Sequence, residues 1–387
     1  MKTLKIGLLP KILIAIALGI GAGLIVPESV ARIFVTINGI FSQFLGFVIP
    51  LIILALVTKA IADIGNRAGK MLVATVAIAY GSTVFAGVVS YLTGATFFPS
   101  MISAGADSSA VEEAAVLSPF FEFNIPPLMG VMTALILSFT LGLGLASTQH
   151  ETLMKATDGF EEIMVKTIRS AIIPVLPLYI FGIFLDMAYV GKVFSVLSVF
   201  IKIIGVIFLI HIGILLLQFL IAGTVTKKNP FRLLWNMLPA YFTALGTQSS
   251  AATIPVTLEQ TKKNGVSEDI AGFTVPLCAT IHMAGSTLKI VACALAIMIM
   301  NGQTYDFSLF VGFICMLGIT MVAAPGVPGG AIMASLGLLG SMLGFTEESQ
   351  ALMIALYIAM DSFGTACNVT GDGAIALVVD KIFSKKR

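Results

Sequence analysis

Charge is scarce in this chain. Only 11% of its 387 residues are Asp, Glu, Lys or Arg, less than half of the roughly 25% usual in a soluble domain. The charges nearly cancel, leaving a net +2, so the sequence carries no electrostatic footprint for nucleic acid or another polyanion. The three histidines are scattered and make no cluster. The four cysteines, Cys278, Cys293, Cys315 and Cys367, lie in apolar stretches without metal-ligand spacing. They are read as reduced packing residues rather than a disulfide framework. Apolar side chains make up 58% of the sequence, and the mean hydropathy is +1.03. A soluble core of this size cannot hide that much apolar surface, so the fold class is an all-α polytopic membrane protein.

A helix needs about 20 apolar residues to cross roughly 30 Å of hydrocarbon. Such stretches lie near 12–26, 34–58, 71–96, 126–147, 169–191 and 195–224. Lys2, Lys5 and Lys11 give the first one the look of a signal peptide, but the spans that follow favour a retained helix. With the N-terminus inside, Lys59, Arg67, Lys70, Lys155, Lys166, Arg169, Lys227, Lys228 and Arg232 all fall on the cytoplasmic side, as do Lys385, Lys386 and Arg387. The loop 97–124 on the other side holds Asp107, Glu112, Glu113 and Glu122 and no Lys or Arg. By the positive-inside rule both termini are cytoplasmic, and the plasma (inner) membrane is the expected location.

Beyond residue 230 the apolar stretches are interrupted. Arg232 and Lys262 both belong to the basic face, yet the segment between them is apolar apart from Gly246-Thr247-Gln248-Ser249-Ser250. A re-entrant hairpin over 230–264 keeps the charge pattern, whereas one span would break it. The segment 307–343 repeats the form around Ala324-Pro325-Gly326-Val327-Pro328-Gly329-Gly330, with Asp306, Glu347 and Glu348 at its ends. It is expected to enter from outside. Each hairpin precedes one long helix, at 270–301 and 349–383. Paired units of opposite orientation are the mark of an inverted repeat with its binding site where the units meet.

The last helix carries Asp361, Thr365, Asn368 and Asp372 at i, i+4, i+7 and i+11, so they share one face. A polar helix–helix seam explains Thr365 and Asn368 but poorly explains two intramembrane carboxylates. Such carboxylates need cations: an ammonium group, Na⁺ or a proton. The first tip offers Ser249, Ser250 and free backbone N–H groups at a half-helix start, suited to a carboxylate. The run Thr280 to Thr287 is a polar break in the seventh span that frees carbonyls for an ion. His282 either couples protons or is a hydrogen-bonded packing residue. Lys289 either pairs with an aspartate or snorkels to an interface, and His211 reads as packing.

These segments resemble the dicarboxylate/amino acid:cation symporter family, in character nearest its neutral amino acid and serine/threonine branch. Thr247 to Pro255 looks like the family's serine-rich first tip, and Gly326-Val327-Pro328-Gly329-Gly330 like its gating hairpin. His282-Met283-Ala284-Gly285-Ser286 sits where the family has Asn-Met-Asp-Gly-Thr, and Asn368-Val369-Thr370-Gly371-Asp372 ends the last-helix signature. The resemblance implies eight transmembrane helices, two oppositely oriented re-entrant hairpins, an elevator mechanism and a homotrimer in the lipid bilayer. Residues 1–228 would be mainly scaffold, with the third and sixth spans joining the transport domain, and 229–387 its core. Asp361 would hold the substrate's α-ammonium, and Asn368, Ser249 and Ser250 its carboxylate. Met283, Ser286, Val327, Gly364 and Thr365 would line the pocket. Asp372 with carbonyls of Cys278, His282 and Asn368 matches one Na⁺ site, and carbonyls of Thr280, Met321, Val322 and Ala324 match a second.

The departures narrow the expectation. Acidic-substrate members carry an Arg at the place of Gly364, or in the first tip where this chain has Gln248. Without it a side-chain carboxylate loses its bidentate partner, so the expected cargo is a neutral amino acid, with room at Gly364 for a bulkier side chain. Ala284 and His282 weaken a third cation site. The leading reading is Na⁺-coupled import. The alternative is H⁺ coupling with an amino acid or dicarboxylate as cargo. Gly371-Asp372 is similar to part of an intramembrane aspartyl protease motif, but Val369 stands where that motif needs glycine. A passive channel fits two lid-like hairpins poorly, and an enzyme is not expected.

Overall fold

The computed structural model describes residues 8–66, 69–102, 117–148, 150–191, 193–322, 324 and 329–384. Every regular element among them is helical. The first are α1 (Leu8–Gly23), α2 (Glu28–Asn66), α3 (Lys70–Met101) and α4 (Val131–Thr148). The fourth span therefore begins later than 126, because Pro126 and Pro127 lack N–H groups and disfavour helix in the residue before them. Next come α5 (Glu151–Thr167), a π-helical turn (Ile168–Ile172) and α6 (Ile173–Tyr189). The three join into one continuous length, where a loop was expected up to residue 168. The π turn sits where Pro174 offers no N–H to the preceding turn, a common cause of such bulges.

After α7 (Val193–Thr226) come α8 (Pro230–Thr247) and α9 (Ser250–Lys263). Asn229 caps α8, accepting from the N–H groups of Phe231 at 3.0 Å and Arg232 at 3.2 Å. The helix stops because Gln248 takes a left-handed φ of 53°, and Ser249 then caps α9 by accepting from Ala252 N–H at 3.3 Å. The far ends of this pair meet. Asn264 donates to the Leu233 carbonyl at 3.0 Å and accepts from Asn236 at 2.8 Å, so the chain returns to where it entered. α12 (Phe307–Val322) and α13 (Gly330–Leu343) likewise pack on each other.

Two lengths are broken. α10 (Glu268–Ile281) and α11 (Ala284–Met300) meet at His282 and Met283. α14 (Glu347–Ala359) and α15 (Asp361–Phe383) meet at Met360 with a bend of 62°. The single helix expected over 349–383 is thus two, although Asp361 to Asp372 all remain on α15. Among the described residues five lengths are long and apolar enough to cross a membrane, and six with the bent α14–α15 pair, while α1 and α4 are apolar but shorter.

Packing sorts the helices. α1 lies on α6, and α2 on α4, α5 and α6; α15 is surrounded by α7 to α11, and α11 packs on α3. α11 is buried on every face from Ala284 to Ile299. Large apolar side chains remain exposed elsewhere, among them Ile201 at 72%, Leu209 at 69% and Trp235 at 72%. Apolar surface on this scale suits lipid rather than water. Lipid gives apolar side chains little reason to leave it, so close backbone contact and polar bonds must hold the helices together.

Candidate substrate and cation site

The site forms where the two broken lengths touch. Asp361 opens α15, and both of its carboxylate oxygens are engaged. Oδ1 accepts from Lys289 Nζ at 3.1 Å, and Oδ2 from the Gly329 N–H at 2.9 Å. The Lys289 side chain is fully buried and that of Asp361 is 7% exposed. Lys289 also donates to the carbonyls of Met360 at 3.3 Å and Tyr357 at 3.4 Å, and lies 3.5 Å from the centroid of the Tyr357 ring. Those carbonyls end α14, so one cation both pairs with the carboxylate and satisfies a helix terminus. Removing one member of such a pair costs about 3–5 kcal/mol, since the other is left buried and uncompensated.

A second network runs beside it. Tyr357 donates its hydroxyl to Ser286 Oγ at 3.0 Å, and Ser286 Oγ accepts from Asn368 Nδ2 at 3.1 Å. Asn368 Oδ1 accepts from the Gly285 N–H at 2.7 Å, one of the free donors of α11's first turn. Met283 Sδ lies 3.4 Å from Asn368 Nδ2. The hydroxyl of Thr365 turns back to the Asp361 carbonyl at 3.0 Å. At the first hairpin tip Gln248 donates to Ser362 Oγ at 2.9 Å, which seats the tip, with buried Ser250, against the start of α15. These bonds link Asp361 through Lys289 and Tyr357 to Ser286, Asn368 and Met283, with Gly364 and Thr365 on the same helix; the first tip, which carries Ser249 and Ser250, is tied in through Gln248 and Ser362. Val327 lies outside the described residues.

The room expected at Gly364 is filled. A Cβ there would lie 2.8 Å from Lys289 Nζ and 2.9 Å from its Cε. A lysine from the neighbouring helix stands where a side chain at 364 would project, and the glycine is what admits it.

Asp372 is paired too. His282 Nδ1 lies 2.9 Å from Asp372 Oδ1, and its Nε2 lies 3.1 Å from Ser82 Oγ and 3.4 Å from Gln218 Nε2. Among the described residues Asp372 Oδ2 is buried without a partner, and a buried carboxylate oxygen left open in this way can accept a cation. The Cys278 carbonyl accepts the His282 N–H at 2.8 Å. In the second set Met321 and Ala324 are buried, Val322 is half-buried and Thr280 is exposed. The Thr280 hydroxyl donates to the Leu277 carbonyl at 2.7 Å. His211 is buried, with Nδ1 2.9 Å from the Ile207 carbonyl and Nε2 3.2 Å from that of Gly285. Sequence reasoning missed Tyr357, Ser82 and Gln218, whose roles come from contacts 64 to 200 residues away.

Helices broken against one another, with buried carboxylates at the break, define a membrane-embedded carrier of small solutes. More specifically, the chain belongs to the Sodium:dicarboxylate symporter family, matched over residues 8–382. Membership places it among carriers rather than enzymes, which removes the protease reading. The chain is 26% identical to the Serine/threonine transporter SstT of Acinetobacter baumannii over 97% of each protein. It is 33% identical to the Neutral amino acid transporter B(0) of Rattus norvegicus and 36% identical to Excitatory amino acid transporter 2 of Homo sapiens. Those two matches cover 41% and 46% of this chain but only 29% and 30% of the mammalian proteins.

Proposed function

We propose that the protein is a secondary active symporter that imports a small neutral amino acid with Na⁺ by an elevator movement. The observation that carries this reading is the buried network that links Asp361, Ser286 and Asn368 across α11 and α15, with the first hairpin tip, where Ser250 is buried, bonded to the start of α15. It offers a carboxylate for an ammonium group, and amide, hydroxyl and backbone donors for a carboxylate. The names of the relatives agree with an amino acid cargo. The unpartnered Asp372 Oδ2 and the main chain of Cys278, His282 and Asn368 would take one Na⁺, and the main chain of Thr280, Met321, Val322 and Ala324 a second. The contact pattern supports a scaffold of α1, α2 and α4 to α6, and a moving unit of α3, α7 and the hairpin-bearing half. We group the helices as eight spans and two opposed hairpins, assembled as a homotrimer in the plasma membrane with cytoplasmic termini.

A second reading, H⁺ coupling, has its own support: the imidazole of His282 already holds the Asp372 oxygen that a cation would use. Purified protein in liposomes, given external radiolabelled neutral amino acids under an inward Na⁺ gradient or with choline at matched pH, separates the two. Uptake that needs Na⁺ supports the first reading. Uptake equal in choline and driven by an inward proton gradient refutes it in favour of the second.

A further inference from the structure

Neither the resemblance nor the proposed function gives Lys289 a role. Its buried ammonium meets a carboxylate oxygen of Asp361, two main-chain carbonyls and the face of Tyr357. These are the groups that a small cargo ammonium seeks. The other oxygen of Asp361 is held by the Gly329 N–H at the end of the second hairpin tip. A cargo ammonium cannot simply join this arrangement, because two like charges would then share one buried carboxylate. One of them must leave. We propose that Lys289 is an in-chain counter-cation, standing at Asp361 in place of the cargo's ammonium when the pocket is empty, and displaced by it on binding.

This inference rests on the amino acid reading and adds two consequences. First, the cargo's ammonium gains little net affinity, since each contact it makes is taken from Lys289. Selectivity for an amino acid over the hydroxy acid of the same shape is therefore compressed. Second, the empty carrier keeps Asp361 neutralised and the Gly329 end of the second hairpin bonded to it. An unpaired carboxylate is costly to move through the bilayer, so Lys289 lets the empty transport unit return. Net uptake needs that return, whereas exchange of internal for external cargo does not.

The test uses the full chain, purified and reconstituted, as wild type and as Lys289→Gln, which keeps hydrogen-bonding capacity and most of the length but not the charge. Binding is measured for L-serine against L-glycerate and L-alanine against L-lactate. In the wild type each amino acid should be preferred by less than about tenfold; in Lys289→Gln it should bind at least about tenfold tighter and be preferred by about a hundredfold or more. In vesicles the variant should keep exchange and lose most net uptake. Unchanged affinity, preference and uptake-to-exchange ratio would overturn the inference and leave the amino acid reading standing. So would a wild-type preference above about a thousandfold, which requires no variant to fold. Failure of folded wild type to bind any neutral amino acid would overturn the amino acid reading and this inference with it.

Discussion

Replacing Gly285 by alanine tests whether α11 and α15 are held at backbone contact. A Cβ at 285 would lie 2.5 Å from the Gly364 carbonyl oxygen, 2.6 Å from the Cys367 Cβ and 3.2 Å from Asn368 Oδ1. Ordinary contact begins at 3.4 Å, so the two helices would have to part by most of an ångström. Neither a main-chain oxygen nor a Cβ can rotate aside. Such overpacking costs about 1–3 kcal/mol. Parting the helices also stretches the 2.7 Å bond from Gly285 N–H to Asn368 Oδ1, and a buried donor left unmet costs about 1–3 kcal/mol. The gain in helix propensity returns at most about 1 kcal/mol. The expected net loss is about 1–6 kcal/mol.

Gly272→Ala is the control, since a Cβ there meets nothing within 4 Å; it should be neutral or stabilise by up to about 1 kcal/mol. Thermal unfolding of both variants is followed in one detergent, together with binding of a neutral amino acid. Gly285→Ala should lower the melting temperature by several degrees and weaken binding, because Asn368 and Met283 move with the helices. A Gly285→Ala protein that melts with the wild type and binds as tightly would refute the contact geometry.

Asp361→Asn should abolish amino acid binding and destabilise the fold by about 3–5 kcal/mol, because Lys289 is left buried without its anion. Lys289→Met added to it should recover most of the melting temperature and none of the binding; recovered binding would show that Asp361 does not hold the ammonium. His282→Ala should free both oxygens of Asp372 and increase stabilisation by Na⁺ over choline at fixed ionic strength. An unchanged Na⁺ response would remove Asp372 from the cation site. Gly364→Arg should destabilise the protein by setting a second cation beside Lys289. Combined with Lys289→Met it should bind aspartate or glutamate, and continued indifference to both would show that position 364 does not face the cargo.

Much of this was legible because it is local. The first hairpin is written in the basic residues at its two ends and the small polar residues at its tip, and the break at His282 in a polar run within an apolar span. The break at Met360 was not legible. Asp361, Thr365, Asn368 and Asp372 keep a helical spacing, and nothing between Ile358 and Ser362 is a helix breaker. The carbonyls released there are met by Lys289, 68 and 71 residues earlier in the chain. Position 364 failed for the same reason. Glycine reads as space in a sequence, yet here it admits the end of a side chain from another helix.

The two carboxylates of α15 follow one rule that neither shows alone. Asp361 is met by Lys289 and Asp372 by His282. Both bases come from the same broken length, one from the break itself and one two turns into α11. Seven residues separate the bases and eleven the acids, and the break at His282 and Met283 sets the imidazole just outside the helix that carries the lysine. An intramembrane carboxylate is tolerated when a cation accompanies it, and here the chain supplies a base to each before any cargo arrives. Three of the four carboxylate oxygens are engaged, and Asp372 Oδ2 is the exception. On the proposed function, a coupling cation that binds without displacing a protein group would take Asp372 as its carboxylate ligand. A cargo ammonium has no such vacancy and must compete.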